Sequence, residues 1–117
     1  MFKRKAYFKY ISITEAKAVI KSKNAGFVDI RDESSFSNSH IPNAIHLTKN
    51  NMDAFLKKKN KYDHLIVYCY HGILSRDAAE FLMNQGFKNV YSLNGGFSEY
   101  AQTQTELQRN NEAKEIL

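Results

Sequence analysis

A chain of 117 residues with 43% hydrophobic and 25% charged residues has the size and composition of one globular domain. Its single cysteine excludes an internal disulfide and a multi-cysteine metal site, and predicts a reducing, cytoplasmic setting. No apolar segment approaches membrane-spanning length, so no membrane partner is expected, and Met1-Phe2-Lys3-Arg4-Lys5 is not followed by a signal-type apolar stretch. The net charge of +5 is spread along the chain, with local clusters only at Lys3-Arg4-Lys5 and Lys57-Lys58-Lys59-Asn60-Lys61. Such runs read as solvated faces rather than a nucleic-acid interface, although the surplus charge draws small anions to the surface.

In chain order, residues 1–9 are basic and aromatic without a period and read as an amino-terminal extension. Tyr10-Ile11 suits a short strand. Ser12-Ile13-Thr14-Glu15 is a capping box, so a helix with Ala16, Val19 and Ile20 on its apolar face is predicted, ending at Asn24-Ala25-Gly26. Phe27-Val28-Asp29-Ile30 reads as a buried strand running into Arg31. A carboxylate in such a strand needs a partner. Asp29 and Arg31 therefore either organise nearby loops or, in Arg31, border an anion site. Glu33 to Ser39 suits a short helix or turn with Phe36 facing inwards. Pro42 holds Ile41 extended, and Asn43 tolerates a positive φ. Ile45-His46-Leu47 is a third short strand. His40 and His46 have no accompanying ligand cluster and read as hydrogen-bonding residues, not metal ligands.

Asn50 to Lys59 has helical spacing through Met52, Phe55 and Leu56. The stretch Leu65-Ile66-Val67-Tyr68-Cys69-Tyr70-His71-Gly72-Ile73-Leu74-Ser75-Arg76 carries the chemistry. Its apolar start suits a strand buried on both faces, and the cysteine follows where that strand ends. Ser75 reads as the N-cap of the next helix, with Asp77 in the first turn and Ala78, Ala79, Leu82 and Met83 on the core face. A cysteine placed so lies at the carboxyl edge of a sheet, where loop amides and a helix N-terminus favour the nucleophilic thiolate. A small buried hydrophobe fits the same position equally well. Gly86 closes that helix, Val90-Tyr91-Ser92-Leu93 is the last strand, and Asn94-Gly95-Gly96 turns into a helix bearing Phe97 and Tyr100. Residues 102–117 are a polar carboxyl-terminal extension. Strands alternate with helices between residues 10 and 101, which predicts one α/β domain.

Four ordered parts resemble the rhodanese family, in particular its single-domain bacterial thiosulfate sulfurtransferases: Val28-Asp29-Ile30-Arg31; Phe36 with His40-Ile41-Pro42, Ala44 and Leu47; Cys69-Tyr70-His71-Gly72; and Gly95-Gly96-Phe97 with Glu99-Tyr100. The resemblance implies a single rhodanese-like domain with a mainly parallel five-stranded sheet and helices on both faces. It implies Cys69 as catalytic nucleophile, carrying sulfur as a persulfide, with Tyr70, His71, Gly72, Ile73, Leu74, Ser75 and Arg31 binding substrate. Thiosulfate is the implied donor and cyanide or a thiol, including a small thiol protein, the acceptor. No metal or cofactor is implied. A sulfur relay or a non-catalytic interaction module is the alternative reading.

The chain departs from the family pattern at Asn43, where glycine is usual, and at Asn94, where an acidic residue is common. Both asparagines tolerate the left-handed conformation. Ile73 and Leu74 stand where polar or cationic residues are common, which bears on thiosulfate affinity. A phosphatase or arsenate reductase would grip its oxyanion with an arginine where Ser75 stands, and Arg76 comes one residue late.

Overall fold

The computed structural model describes residues 7–116, with side chains through Asn110, so most of the basic amino-terminal run lies outside the described residues. Five strands form one sheet in the order β1-β5-β4-β2-β3: β1 Lys9–Ile11, β2 Ala25–Asp29, β3 Ile45–His46, β4 His64–Tyr68 and β5 Val90–Leu93. Every pairing is parallel, so the sheet is wholly rather than mainly parallel. The helices are α1 Ile13–Val19, α2 Glu33–Asn38, α3 Met52–Leu56, α4 Leu74–Asn84 and α5 Gly96–Ile116, with a short 3-10 turn at Lys59–Lys61.

Successive side chains of a strand point to opposite faces, and the central strand shows why both faces are covered. Leu65 and Val67 of β4 pack with Phe55 of α3 and with Ala79 and Leu82 of α4. Ile66 and Tyr68 pack on the other face with Ile13 and Ala16 of α1, and Phe97 and Tyr100 of α5 lie against that cluster. The four β4 residues 65–68 are at most 1% exposed, as expected of a strand with no solvated side.

Local signals set several boundaries. Ser12 Oγ accepts from the Glu15 N–H at 3.1 Å while the Glu15 carboxylate accepts from the Ser12 N–H at 3.1 Å, so the capping box forms. The expected end of α1 at Asn24-Ala25-Gly26 is corrected: the helix stops at Val19, and Ala25 and Gly26 begin β2. Asn24, at φ 58°, gives its carbonyl to the Asp63 N–H at 2.9 Å and its side chain to the Asp63 carboxylate at 3.1 Å. That tie to the segment preceding β4 sets the register of Ala25 opposite His64. The expected helix over residues 50–59 is shorter, confined to Met52–Leu56 before the 3-10 turn. Phe36 is half-buried, its ring stacked between the imidazoles of His40 and His46 at 3.9 and 4.4 Å.

Candidate active site

Cys69 follows β4 directly, and its sulfur lies over the turn that leads into α4. The Gly72 N–H points at Sγ from 3.1 Å and the Ser75 N–H from 3.3 Å, while the Ser75 hydroxyl lies 3.4 Å away. Ser75 Oγ in turn shares a 2.8 Å hydrogen bond with Ser92 Oγ on β5, and both serines are buried. Burial pushes the Cys69 thiol up, but the Ser75 hydroxyl and the amides of Ser75, Gly72 and His71 outweigh it, and the net displacement is downwards. Donors converging on one sulfur favour the thiolate, which is the nucleophilic form.

The expectation that Ser75 caps the helix is corrected. Helix α4 begins at Leu74 with Ile73 in the cap position and no side-chain cap. Ser75 sits inside the first turn with its N–H directed at Cys69 Sγ, while its hydroxyl oxygen lies between that sulfur and Ser92 Oγ. Tertiary demand takes the group that local capping would have used.

The loop is held from below by the start of α5. The Phe97 N–H donates to the Cys69 carbonyl at 2.9 Å and the Ser98 N–H to the Tyr70 carbonyl at 3.0 Å. Gly96, at φ 58°, makes this approach possible: a Cβ there would lie 2.6 Å from the Cys69 carbonyl oxygen and 2.8 Å from the Gly72 nitrogen. A Cβ on Gly72, at φ 90°, would lie 2.9 Å from the Gly95 nitrogen and 3.0 Å from the Leu93 carbonyl oxygen. The glycines of the two motifs thus interlock.

Cys69, Tyr70, His71, Ile73 and Leu74 line a cavity of about 250 Å³. Tyr70, Ile73 and Leu74 form its exposed apolar rim. Arg31 does not line it. Its guanidinium is buried against the Asp29 carboxylate, with Nη2–Oδ2 at 2.8 Å, and also donates to the Ser39 carbonyl at 2.6 Å. It packs over the Phe97 ring, 4.0 Å from the centroid, with Tyr68 and Tyr70 at 5.7 and 5.9 Å. Burial opposes its charge, yet the Asp29 carboxylate more than compensates and moves its pKa up. The buried Tyr68 hydroxyl, raised by desolvation and by Asp29, accepts from the Ile41 N–H at 3.1 Å. Arg76 lies over the Tyr10 ring at 5.5 Å, also away from the cavity.

His40 Nδ1 bonds to the Phe36 carbonyl at 2.8 Å and His46 Nε2 to the Arg31 carbonyl at 2.6 Å. Among the described residues no cluster of three or more His, Cys, Asp or Glu is arranged to hold a metal, and no helix is long and apolar enough to cross a membrane. Ser92 and the Phe97 and Ser98 amides escaped the sequence reading. A hydroxyl inside the buried run of β5 needs a partner just as the Asp29 carboxylate does, and that need is the signal that marks Ser92.

A wholly parallel α/β domain with its one cysteine cradled by amides at the carboxyl edge of the central strand defines a class of cysteine-loop proteins. The rhodanese-like domain model matches residues 12–103, and the chain belongs to that family. It is 45% identical over 91 residues to Thiosulfate sulfurtransferase GlpE of Vibrio cholerae serotype O1, spanning 78% of this chain and 86% of the relative. Thiosulfate sulfurtransferase GlpE of Shewanella oneidensis is 44% identical over 91 residues, with 78% and 90% covered. Among solved structures, a rhodanese-like domain protein from Staphylococcus aureus superimposes with a TM-score of 0.64 at 27% identity, over 76% of this chain and 87% of that one.

Proposed function

We propose that this chain is a thiosulfate sulfurtransferase that moves sulfane sulfur through a persulfide on Cys69, in the reducing setting of the cytoplasm. The observation that carries the reading is the pair of N–H groups, from Gly72 and Ser75, aimed at Sγ with the Ser75 hydroxyl beside them. The thiolate attacks the outer sulfur of thiosulfate, the S–S bond of the donor breaks, and its electron pair leaves with sulfite. The product, Cys69–S–S⁻, carries the charge that the thiolate brought. The amides of Gly72 and Ser75, with that of His71, serve that charge as fixed donors, requiring no reorganisation as it develops. Cyanide or a thiol, including the thiol of a small protein, then takes the outer sulfur and restores the thiolate.

Arg31 serves this scheme as a positioning residue, bracing Phe97 and hence the loop carbonyl that Phe97 holds. His71 has no assigned proton-transfer role. Ser75 stands where an oxyanion-gripping arginine would be needed, which supports sulfur over phosphate or arsenate. Mixing the protein with thiosulfate should raise its intact mass by one sulfur atom, and cyanide should remove the increment. A Cys69→Ser variant that gains the same mass, or a wild-type chain that gains none, overturns the reading.

A further inference from the structure

The connections that lead from helix to strand carry much of the chain's positive charge. Residues 20–24 follow α1 and hold Lys21 and Lys23. Residues 57–63 follow α3 and hold a run of lysines broken only by Asn60, and residues 85–89 follow α4 and hold Lys88. In a parallel sheet such connections all lie at the amino edge, so these three share the end of the molecule opposite Cys69. They are also tied together. Asn24 Nδ2 donates to the Asp63 carboxylate at 3.1 Å, Lys88 Nζ lies 3.4 Å from it, and Asn89 Nδ2 donates to the Asp63 carbonyl at 2.8 Å. The Lys59 side chain lies beside Gly86, where a Cβ would meet its Cδ and Nζ at 3.4 Å. Asp63 is the one acidic residue in these connections, and every lysine in them is exposed. Acids gather at the other edge instead, in helix first turns, at Glu15, Glu33, Asp53, Asp77 and Glu99.

The expectation that the lysine run is only a solvated face treats it alone, whereas the fold joins it to lysines from two other connections. A helix dipole favours cations near its C-terminus, but α3, a helix of five residues, does not call for a run of lysines. We propose that the amino edge is a docking surface for a nucleic-acid duplex, held by its phosphate backbone. No arginine stands in these connections, so the fork that grips one phosphate or reads a guanine edge is missing. Lysines supply point charges on flexible stems, which suits dense rows of phosphates bound without regard to sequence. A single strand would need free aromatic faces. Tyr62 and Tyr91 are half-buried and committed to Phe55 and His64, with ring centroids at 5.8 and 6.0 Å. A flat anionic bilayer is obstructed. Helix α5 starts at the carboxyl edge and its 21 residues span about 31 Å, against about 17 Å for the five residues of β4. It therefore projects past the amino edge, with Glu106 and Arg109 exposed, and a plane would meet this polar helix before the lysines. A duplex can lie alongside it. The Cys69 cavity, at the opposite edge, stays open.

The test is fluorescence anisotropy of a labelled DNA duplex of mixed sequence, about 20 base pairs long, titrated with the full chain between about 50 and 200 mM salt. Binding should weaken as salt rises, with a logarithmic slope of about −0.9 for each lysine–phosphate contact. A triple variant, Lys57→Gln, Lys58→Gln and Lys61→Gln, spares Lys59 beside Gly86. It should flatten the slope by about 2.7 and bind about tenfold or more weakly at the lower salt. It should melt with the wild-type chain, because the three side chains are exposed. Replacing Lys49 and Arg76, at the carboxyl edge, by Gln should leave the slope as it was. No salt-dependent binding by the wild-type chain, or a wild-type slope in the triple variant, overturns the proposal. So does an equal loss in the carboxyl-edge variant, which would mean that net charge alone is sensed. Capture on vesicles of phosphatidylglycerol and phosphatidylcholine without duplex binding would assign the edge to a membrane and overturn it as well. None of these readouts depends on sulfur transfer at Cys69.

Discussion

Two loops leave the carboxyl edge of the sheet side by side, since Asp29 and Tyr68 are register partners on β2 and β4. The loop after β2 closes its charges on itself: Arg31 donates from backbone and side chain to Asp29, and both residues are buried. The loop after β4 instead aims amides and a hydroxyl at a single sulfur that opens into a cavity. A salt bridge satisfied by its own members is a fixed strut, whereas a thiolate solvated by backbone amides retains a nucleophilic lone pair for an incoming sulfur. Adjacent strand ends thus divide into a self-paired support and, in the function proposed, a reactive group.

The largest effect should come from breaking the strut. Asp29→Ala leaves the Arg31 guanidinium buried without its carboxylate, and a destabilisation of about 3–5 kcal/mol is expected by thermal or denaturant unfolding. An unchanged melting temperature combined with lost turnover would reverse the roles given to the two loops. Gly96→Ala should come next. Left-handed backbone strain alone costs about 1–3 kcal/mol, and the new methyl would press on the Cys69 and Tyr70 carbonyls. Its distinguishing mark is a Cys69 alkylation midpoint displaced upwards as the loop shifts off the sulfur; a variant with unaltered reactivity would show that the glycine contact does not shape the cradle.

In the unaltered protein, alkylation of Cys69 should titrate below the free-thiol value of about 8.5. Because the folded thiol is the more acidic, its hydrogen bonds contribute fully to stability above the unfolded pKa. That contribution is lost as pH falls through the lower folded pKa. A midpoint at or above the free value would contradict the cradle. Ser92→Ala should have the smallest effect, about 1 kcal/mol of stability. It should also cause a slight upward move of the alkylation midpoint, because Ser75 Oγ loses its anchor on β5. If only stability changed, Ser92 would support packing and not the sulfur.

What was legible in the sequence was what short-range chemistry dictates. Ser12 and Glu15 cap each other within one turn, and the apolar run of β4 needs no distant partner to be read as a strand buried on both faces. Asp29 and Arg31 are two residues apart, so their pairing was open to inference. Local spacing marks Ser75 as a cap, but its hydroxyl serves Ser92, seventeen positions away, and that contact exists only once β4 and β5 lie side by side. Asn24 resembles a helix stop for a similar reason, its bonds to Asp63 being made between segments that only the sheet brings together. The separation of Arg31 from the cavity depends on Phe97, which covers the guanidinium from the opposite end of the domain sequence.

The strand order has a consequence for the protein as it is made. Strand β5 is the last to be synthesised, yet it lies between β1 and β4, and β1 pairs with β5 alone. A ribosome-bound chain that has reached Cys69 therefore has neither a closed sheet nor Ser92, and the Phe97 and Ser98 amides that hold the loop carbonyls have yet to emerge. Translation proceeds from the amino end at about 5–20 residues per second, so the nascent cysteine spends its first seconds as an ordinary thiol. The donors around the sulfur are complete only with the final segment of the domain, so the sulfur-loading centre proposed above would appear only once the fold that contains it is complete.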